Sequence, residues 1–376
     1  MTITVIPQPS RISLVDLRAQ HELLRPMLEA AISTVISSNC FVEGEPMERF
    51  EREFADYCGV PHAIAVDSGT AALQLVLLSL GIGSGDEVIV PANTFIATGA
   101  AVAQVGATPV FIDSDPNTWL IGANEVSRAI TTSTRAILGV HLYGNMLPMH
   151  DLVGVAAGMS IIEDAAQAHG GALDGKRAGS FGIAGCFSFY PAKNLGALGD
   201  GGAITLADPE LAARLRRLRN HGRKTKYEHA EIGFNYRMDT IQAAVLRVKL
   251  EYLEKWNQRR RQLAAAYREN LRGLPLHMPE YVPGSEPVHH LFPVCCSERD
   301  RFAASLAERG VETGIHYPVP LHLQPAFKHL GYKTGQLPVA ERIASQTLSL
   351  PIYPEMSMQQ LEYVCDAAHD FFHGRG

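Results

Sequence analysis

The sequence predicts an α/β protein with a large domain built on a mostly parallel sheet and a smaller domain of mixed α+β type. Short β-rich runs alternate with helical stretches over residues 87–206, which is typical of parallel strands joined by crossover helices. A chain of 376 residues is longer than one hydrophobic core usually supports, so two domains are expected. We predict an α/β/α sandwich within residues 1–250 and the smaller domain within residues 251–376.

Helical sequence dominates the N-terminal part of the chain. Residues 15–56 have a helical pattern with a break near Ser38–Asn39. A strongly apolar stretch over residues 71–78 then predicts a buried helix, which Ser68 or Thr70 can cap through a side-chain oxygen.

Six β-rich runs supply the predicted sheet. They are Glu87–Val90, Thr108–Asp113, Ala136–His141, Ser160–Asp164, Cys186–Tyr190 and Ala203–Leu206. Ligands of such sheets bind beyond the carboxyl ends of the strands. Because Asp164 ends one predicted strand and Phe95 follows another, we expect both to face the same site.

The C-terminal part begins with a long charged helix, predicted over residues 240–272. The Pro-rich passage 275–287 fits a connection, and residues 358–372 predict the last helix. These elements belong to the smaller predicted domain.

Composition and charge argue against several classes of protein. With a formal net charge of −6, no strongly basic balance indicates a nucleic-acid partner. The six cysteines include no Cys-x-x-Cys pair, so we expect reduced thiols, no metal site and a cytoplasmic location. Residues 1–14 lack the pattern of a signal peptide. The uncharged stretch 91–112 is interrupted by polar residues and proline, which favours a buried strand and helix over a membrane span.

Lys193 and Asp164 are the candidate catalytic residues. Asp164 ends an apolar run, and Lys193 lies between aromatic residues and a Gly-rich loop. Burial at such a position would make the amine a usable nucleophile, and the pair suits a pyridoxal 5'-phosphate (PLP) pocket. Lys193 would form a Schiff base and later shuttle a proton, while Asp164 would pair with the ring nitrogen. Taken alone, Lys193 could be a surface charge and Asp164 a helix cap.

Further residues would complete the PLP pocket. Gly69 and Thr70 open a predicted helix whose free N–H groups suit a phosphate, to which Ser188 can add a hydroxyl. Gln167 could reach the ring hydroxyl, and Phe95 could stack on the ring. The alternatives are an ordinary capped helix and a core aromatic.

Several ordered motifs together resemble the DegT/DnrJ/EryC1/StrS family of sugar aminotransferases. The similarity runs from about Leu14 to Tyr353, nearly the whole chain. The matching segments are 68–73 (SGTAAL), 85–91 (GDEVIVP), 163–170 (EDAAQAHG), 188–196 (SFYPAKNLG) and 233–238 (GFNYRM).

The resemblance implies PLP fold type I, the aspartate aminotransferase-like fold, and a homodimer with two active sites at the interface. The asparagine in the position of Asn235 then reaches the cofactor phosphate of the neighbouring subunit. The residues in the positions of Gln167 and Ser188 contact the cofactor, and the aromatic in the position of Phe95 lies over its ring.

The same resemblance implies transfer of an amino group from L-glutamate to a keto sugar carried on a nucleotide. The loop that begins at Lys193 resembles the branch acting on 3-keto sugars, which favours a dTDP-3-keto-6-deoxyhexose and the synthesis of amino sugars for antibiotics or surface glycans. Sugar dehydratases of the family carry histidine in place of Lys193. A 4-keto sugar, a cyclitol ketone, dehydration and a non-catalytic PLP-binding regulator are the alternatives.

Substrate contacts are harder to predict because they come from loops and from a partner subunit. The candidates are Tyr190, Tyr227, His229, His316 and Tyr317. The sequence His316-Tyr317-Pro318 follows a strand-like run and could face the substrate or merely end the strand.

Overall fold

The computed structural model describes residues 11–374, so the N-terminal part of the signal-peptide prediction lies outside the described residues. The strands are β1 His62–Val66, β2 Glu87–Pro91, β3 Thr108–Ile112, β4 Thr134–Val140, β5 Ser160–Asp164, β6 Ala172–Leu173, β7 Lys176–Arg177, β8 Ala184–Ser188, β9 Gly202–Leu206, β10 Ser285–Glu286, β11 Phe292–Cys295 and β12 Thr347–Leu350.

Helices separate most of these strands. They are α1 Leu17–Ser38, α2 Glu45–Cys58, α3 Gly69–Ser79, α4 Ile96–Gln104, α5 Ala123–Ala129, α6 Met149–Val155, α7 Pro209–Leu218, α8 Thr240–Asn270, α9 Arg299–Glu308, α10 Pro338–Gln346 and α11 Met358–Phe372. The predicted break between the first two helices is confirmed, because Asn39 at the end of α1 is left-handed, with φ of 53°.

A seven-stranded sheet forms the centre of the larger part, with the order β1-β9-β8-β5-β4-β2-β3. Strands β8, β5, β4, β2 and β3 pair in parallel, whereas β9 pairs antiparallel with both β1 and β8. The prediction of a mostly parallel sheet is therefore confirmed. Consequently the carboxyl ends of β1, β2, β5 and β8 lie along one edge, as ligand binding in open α/β sheets requires.

Two hydrophobic clusters cover the opposite faces of this sheet. Ile89 belongs to the cluster that contains Phe54 and Phe187, whereas its neighbours Val88 and Val90 belong to the other. This alternation follows from the two-residue period of a strand. Helices on both faces confirm the predicted sandwich.

Strand β8 differs from its prediction by two residues. It begins at Ala184 and ends at Ser188, while the expected run was Cys186–Tyr190. Gly185 has no side chain to contribute to an apolar pattern. Beyond Ser188 the Phe189 amide donates to Gly201 O, and the chain turns into the Gly-rich loop. Strand β1, which was not predicted, completes the edge of the sheet.

The C-terminal part is smaller and of α+β type. Strands β11 and β12 pair antiparallel, and helices α9 and α11 pack with them around a separate cluster that includes Tyr267, Phe302 and Leu361. Helix α8 runs unbroken past residue 250 and contributes side chains to this cluster and to the sheet core. The domain boundary therefore stays a prediction.

No helix in residues 11–374 combines the length and the apolar character needed for a membrane span. The uncharged stretch 91–112 instead contains helix α4 and strand β3. The expectation of a buried strand and helix in this stretch is confirmed.

Candidate active site

Four strand ends bring the candidate residues to one edge of the sheet. Asp164 is the last residue of β5 and Ser188 the last of β8, while Gly69 and Phe95 follow β1 and β2. The parallel pairing of β5 with β8 places Asp164 beside Cys186 in register. The sheet topology therefore supplies the convergence that the sequence predicted.

Helix α3 begins directly against Ser188. The Ser68 hydroxyl caps the helix by accepting a hydrogen bond from Ala71 N at 3.1 Å. A Cβ atom on Gly69 would lie 2.7 Å from Ser188 Cβ, so only glycine lets the two segments approach this closely. The first amides of a helix have no intrahelical acceptor. Those of Gly69 and Thr70 and the hydroxyl of Ser188 together form an anion-binding arrangement.

Lys193 lies in the loop between β8 and β9, where its amide donates to Tyr190 O at 2.8 Å. Burial lowers the pKa of its amine to about 8, against an opposing effect from Asp164. An amine with this pKa is partly neutral near physiological pH, as a nucleophile or a proton carrier must be.

Three histidines surround this amine: His169, His290 and His316. Burial, followed by the charge of Lys193, lowers the pKa of His169 to about 3 and that of His316 to about 4. The pKa of His290 is lowered well below its usual value for the same two reasons. At neutral pH these imidazoles are uncharged, so they add no positive charge beside Lys193.

Asp164 is almost fully buried and is held by two hydrogen bonds. The Thr98 hydroxyl donates to Oδ2 at 2.8 Å and the Ala166 amide donates to Oδ1 at 3.2 Å. Burial raises the pKa of Asp164, whereas both hydrogen bonds and the charge of Lys193 act to lower it. Thr98 was not predicted. It lies in an apolar helix without a motif of its own, so no local pattern indicates its role.

The neighbouring acid Glu163 serves a different purpose. Its carboxylate lies 2.9 Å from the ring of His141 and accepts the amides of Gly179, Phe181 and Gly182 at 2.7 Å each. Because adjacent residues of a strand point to opposite faces, the two acids separate. Glu163 fastens a loop, and Asp164 faces the candidate site.

Gln167, Tyr317 and Phe95 form one wall. Gln167 Oε1 accepts from Tyr143 N at 2.6 Å, and its Nε2 donates to the Tyr317 hydroxyl at 3.1 Å. The rings of Phe95 and Tyr317 lie 5.4 Å apart, and Phe95 is 51% exposed. An exposed ring beside a buried wall leaves an aromatic face open to a planar ligand.

Four predicted residues lie at the surface of the single chain. Tyr190 is exposed although it is close to Lys193 in sequence. Tyr227, His229 and Asn235 lie in the exposed segment after α7. Within this segment, isolated backbone β-bridges pair Arg223 with His229 and Asn220 with Asn235. Among residues 11–374, no hydrogen bond or ring contact joins these three to Lys193 or Asp164.

The residues that converge fit PLP. The amine of Lys193 can bind the aldehyde, the buried carboxylate of Asp164 can face the pyridine nitrogen, and the helix start with Ser188 can hold the phosphate. The open face of Phe95 suits the ring. Within the described residues no cluster of histidines, cysteines and acids suited to a metal ion is found.

Comparison with known proteins identifies the family of the chain and similar relatives. Residues 24–369 match the model of the DegT/DnrJ/EryC1/StrS aminotransferase family. The chain belongs to this family. A dTDP-3-amino-3,4,6-trideoxy-alpha-D-glucose transaminase from Streptomyces venezuelae is 48% identical over 364 residues, covering 96% of each chain.

Solved structures give the same result. DesV of S. venezuelae, in complex with a ketimine intermediate, aligns with a TM-score of 0.94 at 48% identity, covering 96% of this chain and 98% of DesV. NtdA of Bacillus subtilis with bound cofactor PMP aligns with a TM-score of 0.90 at 31% identity, covering 97% and 86%. The predicted family, fold, cofactor and enzyme class are confirmed: the chain is a PLP-dependent aminotransferase.

We predict that Thr98→Val lowers kcat roughly tenfold to a hundredfold, because a hydrogen bond to a charged group contributes about 1.5–3 kcal/mol. Without the hydroxyl at 2.8 Å, the pKa of Asp164 rises further and less carboxylate remains ionised. Steady-state kinetics measure the loss. Thr205→Val, which removes a buried hydroxyl bound to Gly179 O, is the control. Equal rates in the two variants would contradict the role of Thr98.

We predict that Lys193→Met stabilises the PLP-free protein below pH 8. A buried lysine whose pKa falls from 10.5 to about 8 destabilises the fold fully below the lower value and not at all above the higher one. The gain is at most roughly 3 kcal/mol at about 1.36 kcal/mol per pKa unit. Urea unfolding at pH 7 and pH 11 measures it, with the exposed Lys333→Met as control. A gain that persists at pH 11 would argue against a buried amine.

Proposed function

We propose that this protein transfers the amino group of L-glutamate to a keto sugar carried on a nucleotide diphosphate. The observation that carries the proposal is the placement of the half-buried Lys193 near the buried Asp164 at the carboxyl edge of the sheet, where the charge of each acts on the pKa of the other. The aspartate is held by Thr98, and the lysine amine has a pKa lowered to about 8. The sequence similarity to a named nucleotide-sugar transaminase supports the choice of substrate class.

PLP, when bound, supplies the aldehyde that carries nitrogen between the two substrates and the ring that withdraws electrons from the reacting carbon. Lys193 would anchor this group covalently and, once released, move a proton at the carbon that loses or gains nitrogen. Its lowered pKa leaves Nζ able both to take and to return that proton near neutral pH.

Asp164 would hold the pyridine nitrogen in its protonated form. Its hydrogen bonds from Thr98 and Ala166 keep an otherwise costly buried carboxylate in one orientation. Gly69, Thr70 and Ser188 would bind the phosphate, and Phe95 would cover the ring. Gln167, braced between Tyr143 and Tyr317, would position the ring from the side of its hydroxyl.

The proposed acceptor is a dTDP-3-keto-6-deoxyhexose. The loop Lys-Asn-Leu-Gly-Ala-Leu-Gly-Asp-Gly-Gly at residues 193–202 resembles the branch that acts at C3, and the S. venezuelae relative is named for a 3-amino sugar. His316 and Tyr317 line the wall beside Phe95, which makes them the proposed substrate contacts within the chain. Tyr190, Tyr227 and His229 remain proposed contacts from exposed loops.

A homodimer with shared sites is also proposed. A backbone bridge joins Val42 to Asp239, so the connection between α1 and α2 lies beside the segment that carries Asn235. Four large apolar side chains are exposed on these two segments: Phe41, Val42, Tyr227 and Ile232. Exposed large apolar groups on two adjoining segments support an interaction surface there. Asn235 is exposed on the same segment, as a residue that serves a neighbouring subunit would be.

We predict that the PLP-loaded protein converts L-glutamate and a dTDP-3-keto-6-deoxyhexose into 2-oxoglutarate and a 3-amino sugar. Mass spectrometry and NMR of the product identify the carbon that bears nitrogen. Lys193→Ala should abolish turnover and the borohydride-trapped adduct on residue 193, because the amine that performs both tasks is missing. Nitrogen at C4 of the product would refute the proposed 3-keto substrate. Turnover by Lys193→Ala would refute the proposed role of Lys193.

We predict that two inactive variants restore activity to each other in a mixed dimer. Lys193→Ala removes the amine of one site, and Asn235→Ala removes the proposed phosphate contact of the partner's site. A mixed dimer contains one site with both residues intact, so co-expression should recover a substantial part of the wild-type rate per site. Activity no greater than the sum of the separate variants would contradict a shared site.

A further inference from the structure

Helix α8 carries polar side chains on the stripe that faces the protein interior. Lys249 and Asn257 have no exposed surface and Arg260 is 3% exposed, although Leu253 and Trp256 of the same stripe are apolar. Positions 249, 257 and 260 recur with the helical period, so they lie on one face. Buried polar groups are costly unless they are hydrogen-bonded. Their partners therefore indicate why they are present.

Asn257 joins the two segments that carry the candidate catalytic residues. Its Nδ2 donates to His169 O at 2.7 Å, and its Oδ1 accepts from Asn194 Nδ2 at 3.0 Å. His169 lies in the segment that follows Asp164, and Asn194 directly follows Lys193. One buried side chain thus bridges the strand-end segment and the lysine loop.

The backbone around this bridge is shaped to admit it. Gly170 has φ of +86°, and a Cβ atom there would lie 2.7 Å from Asn257 Nδ2. Only glycine tolerates this conformation while leaving room for the amide to reach His169 O. On the other side, Asn194 Nδ2 also donates to Val288 O at 2.9 Å, which orients it toward Asn257.

Lys249 makes a second attachment to the same loop. Its Nζ donates to Gly196 O at 2.8 Å and lies 2.9 Å from His21 Nε2. A Cβ atom on Gly196 would lie 2.2 Å from Pro191 O, so the loop folds tightly back on itself around Lys193. Helix α8 therefore holds the lysine loop at Asn194 and at Gly196.

We propose that Asn257 is a positioning residue that sets the amine of Lys193 relative to the carboxylate of Asp164. The inference rests on the proposed roles of those two residues. Asn257 touches neither of them and acts through the main chain at His169 and the side chain of Asn194. A displacement of about 1 Å at a reacting group costs up to roughly a hundredfold in rate. We therefore expect loss of this hydrogen-bond bridge to lower the rate of the reaction.

The test uses Asn257→Leu in the full-length protein, with Tyr267→Phe as the matched control. Tyr267 is equally buried on α8 and donates one hydrogen bond to Pro351 O at 2.9 Å, away from Lys193. We expect Asn257→Leu to lower kcat roughly tenfold to a hundredfold with KM changed less than threefold. We expect Tyr267→Phe to keep kcat within about twofold while its melting temperature falls comparably.

A second readout does not require turnover. Added PLP attaches to Lys193 of the PLP-free chain with loss of water, and borohydride trapping at timed intervals gives the rate of attachment. Asn257→Leu should slow this step at least fivefold, because the amine is no longer held in place, whereas Tyr267→Phe should not. The pH at which the visible absorbance of bound PLP changes should shift only in Asn257→Leu. That variant would move Lys193 relative to the titratable groups around it, which are Asp164, His169, His290 and His316.

Asn194→Ala breaks the same hydrogen bond from the loop side and serves if Asn257→Leu does not fold. The double variant of Asn194→Ala and Asn257→Ala should lose less activity than the product of the two single losses, because both single variants remove the shared hydrogen bond between Asn194 and Asn257. If Asn257→Leu and Asn194→Ala only lower the melting temperature and match Tyr267→Phe in kcat and PLP attachment, the positioning role is refuted. Failure to aminate a keto sugar would instead refute the proposed substrate, and the attachment rate would still test Asn257.

Discussion

The placement of an amine beside a buried carboxylate at one edge of the sheet is the constraint on which the site depends. An isolated buried charge is costly, so the protein must supply hydrogen-bond partners for Asp164. Thr98 and the Ala166 amide satisfy Asp164, while burial leaves Lys193 with a pKa of about 8. The surrounding histidines are neutral at physiological pH, so Lys193 has no cationic imidazole as a neighbour. The chemistry of an aminotransferase needs an amine that is readily deprotonated and a carboxylate that stays in place.

Two adjacent acids of β5 have different roles, one structural and one proposed to be chemical. Glu163 and Asp164 are neighbours in sequence, but the pleat of β5 sends their side chains to opposite faces. The carboxylate of Glu163 accepts hydrogen bonds from three amides of the loop before β8 and contacts His141. These contacts hold that loop against β5. Asp164 is thereby held at the end of β5, which pairs with β4 on one side and β8 on the other.

The long helix α8 and the exposed segment after α7 differ in what they present to their surroundings. Helix α8 fastens the lysine loop from within, through buried polar groups on a face that is otherwise apolar. The exposed segment instead presents apolar side chains and Asn235 to its surroundings. A single chain therefore contains the amine, the carboxylate and the helix start, and its surface is consistent with a contribution from a second copy.

The amino-acid sequence was enough to predict the α/β class, the family and the cofactor, and it singled out Lys193 and Asp164 as the candidate catalytic pair. These features are encoded in local signals: strand and helix periodicity, a strand-end acid, a glycine at a helix start and short ordered motifs. Three contacts are visible only in the folded structure. Thr98 donates to Asp164, and Gln167 is held between Tyr143 and Tyr317. Asn257 connects His169 to Asn194. Those contacts join residues far apart in the chain. Each partner has a side chain common in many other settings, so no local pattern distinguishes it until the fold brings the two together.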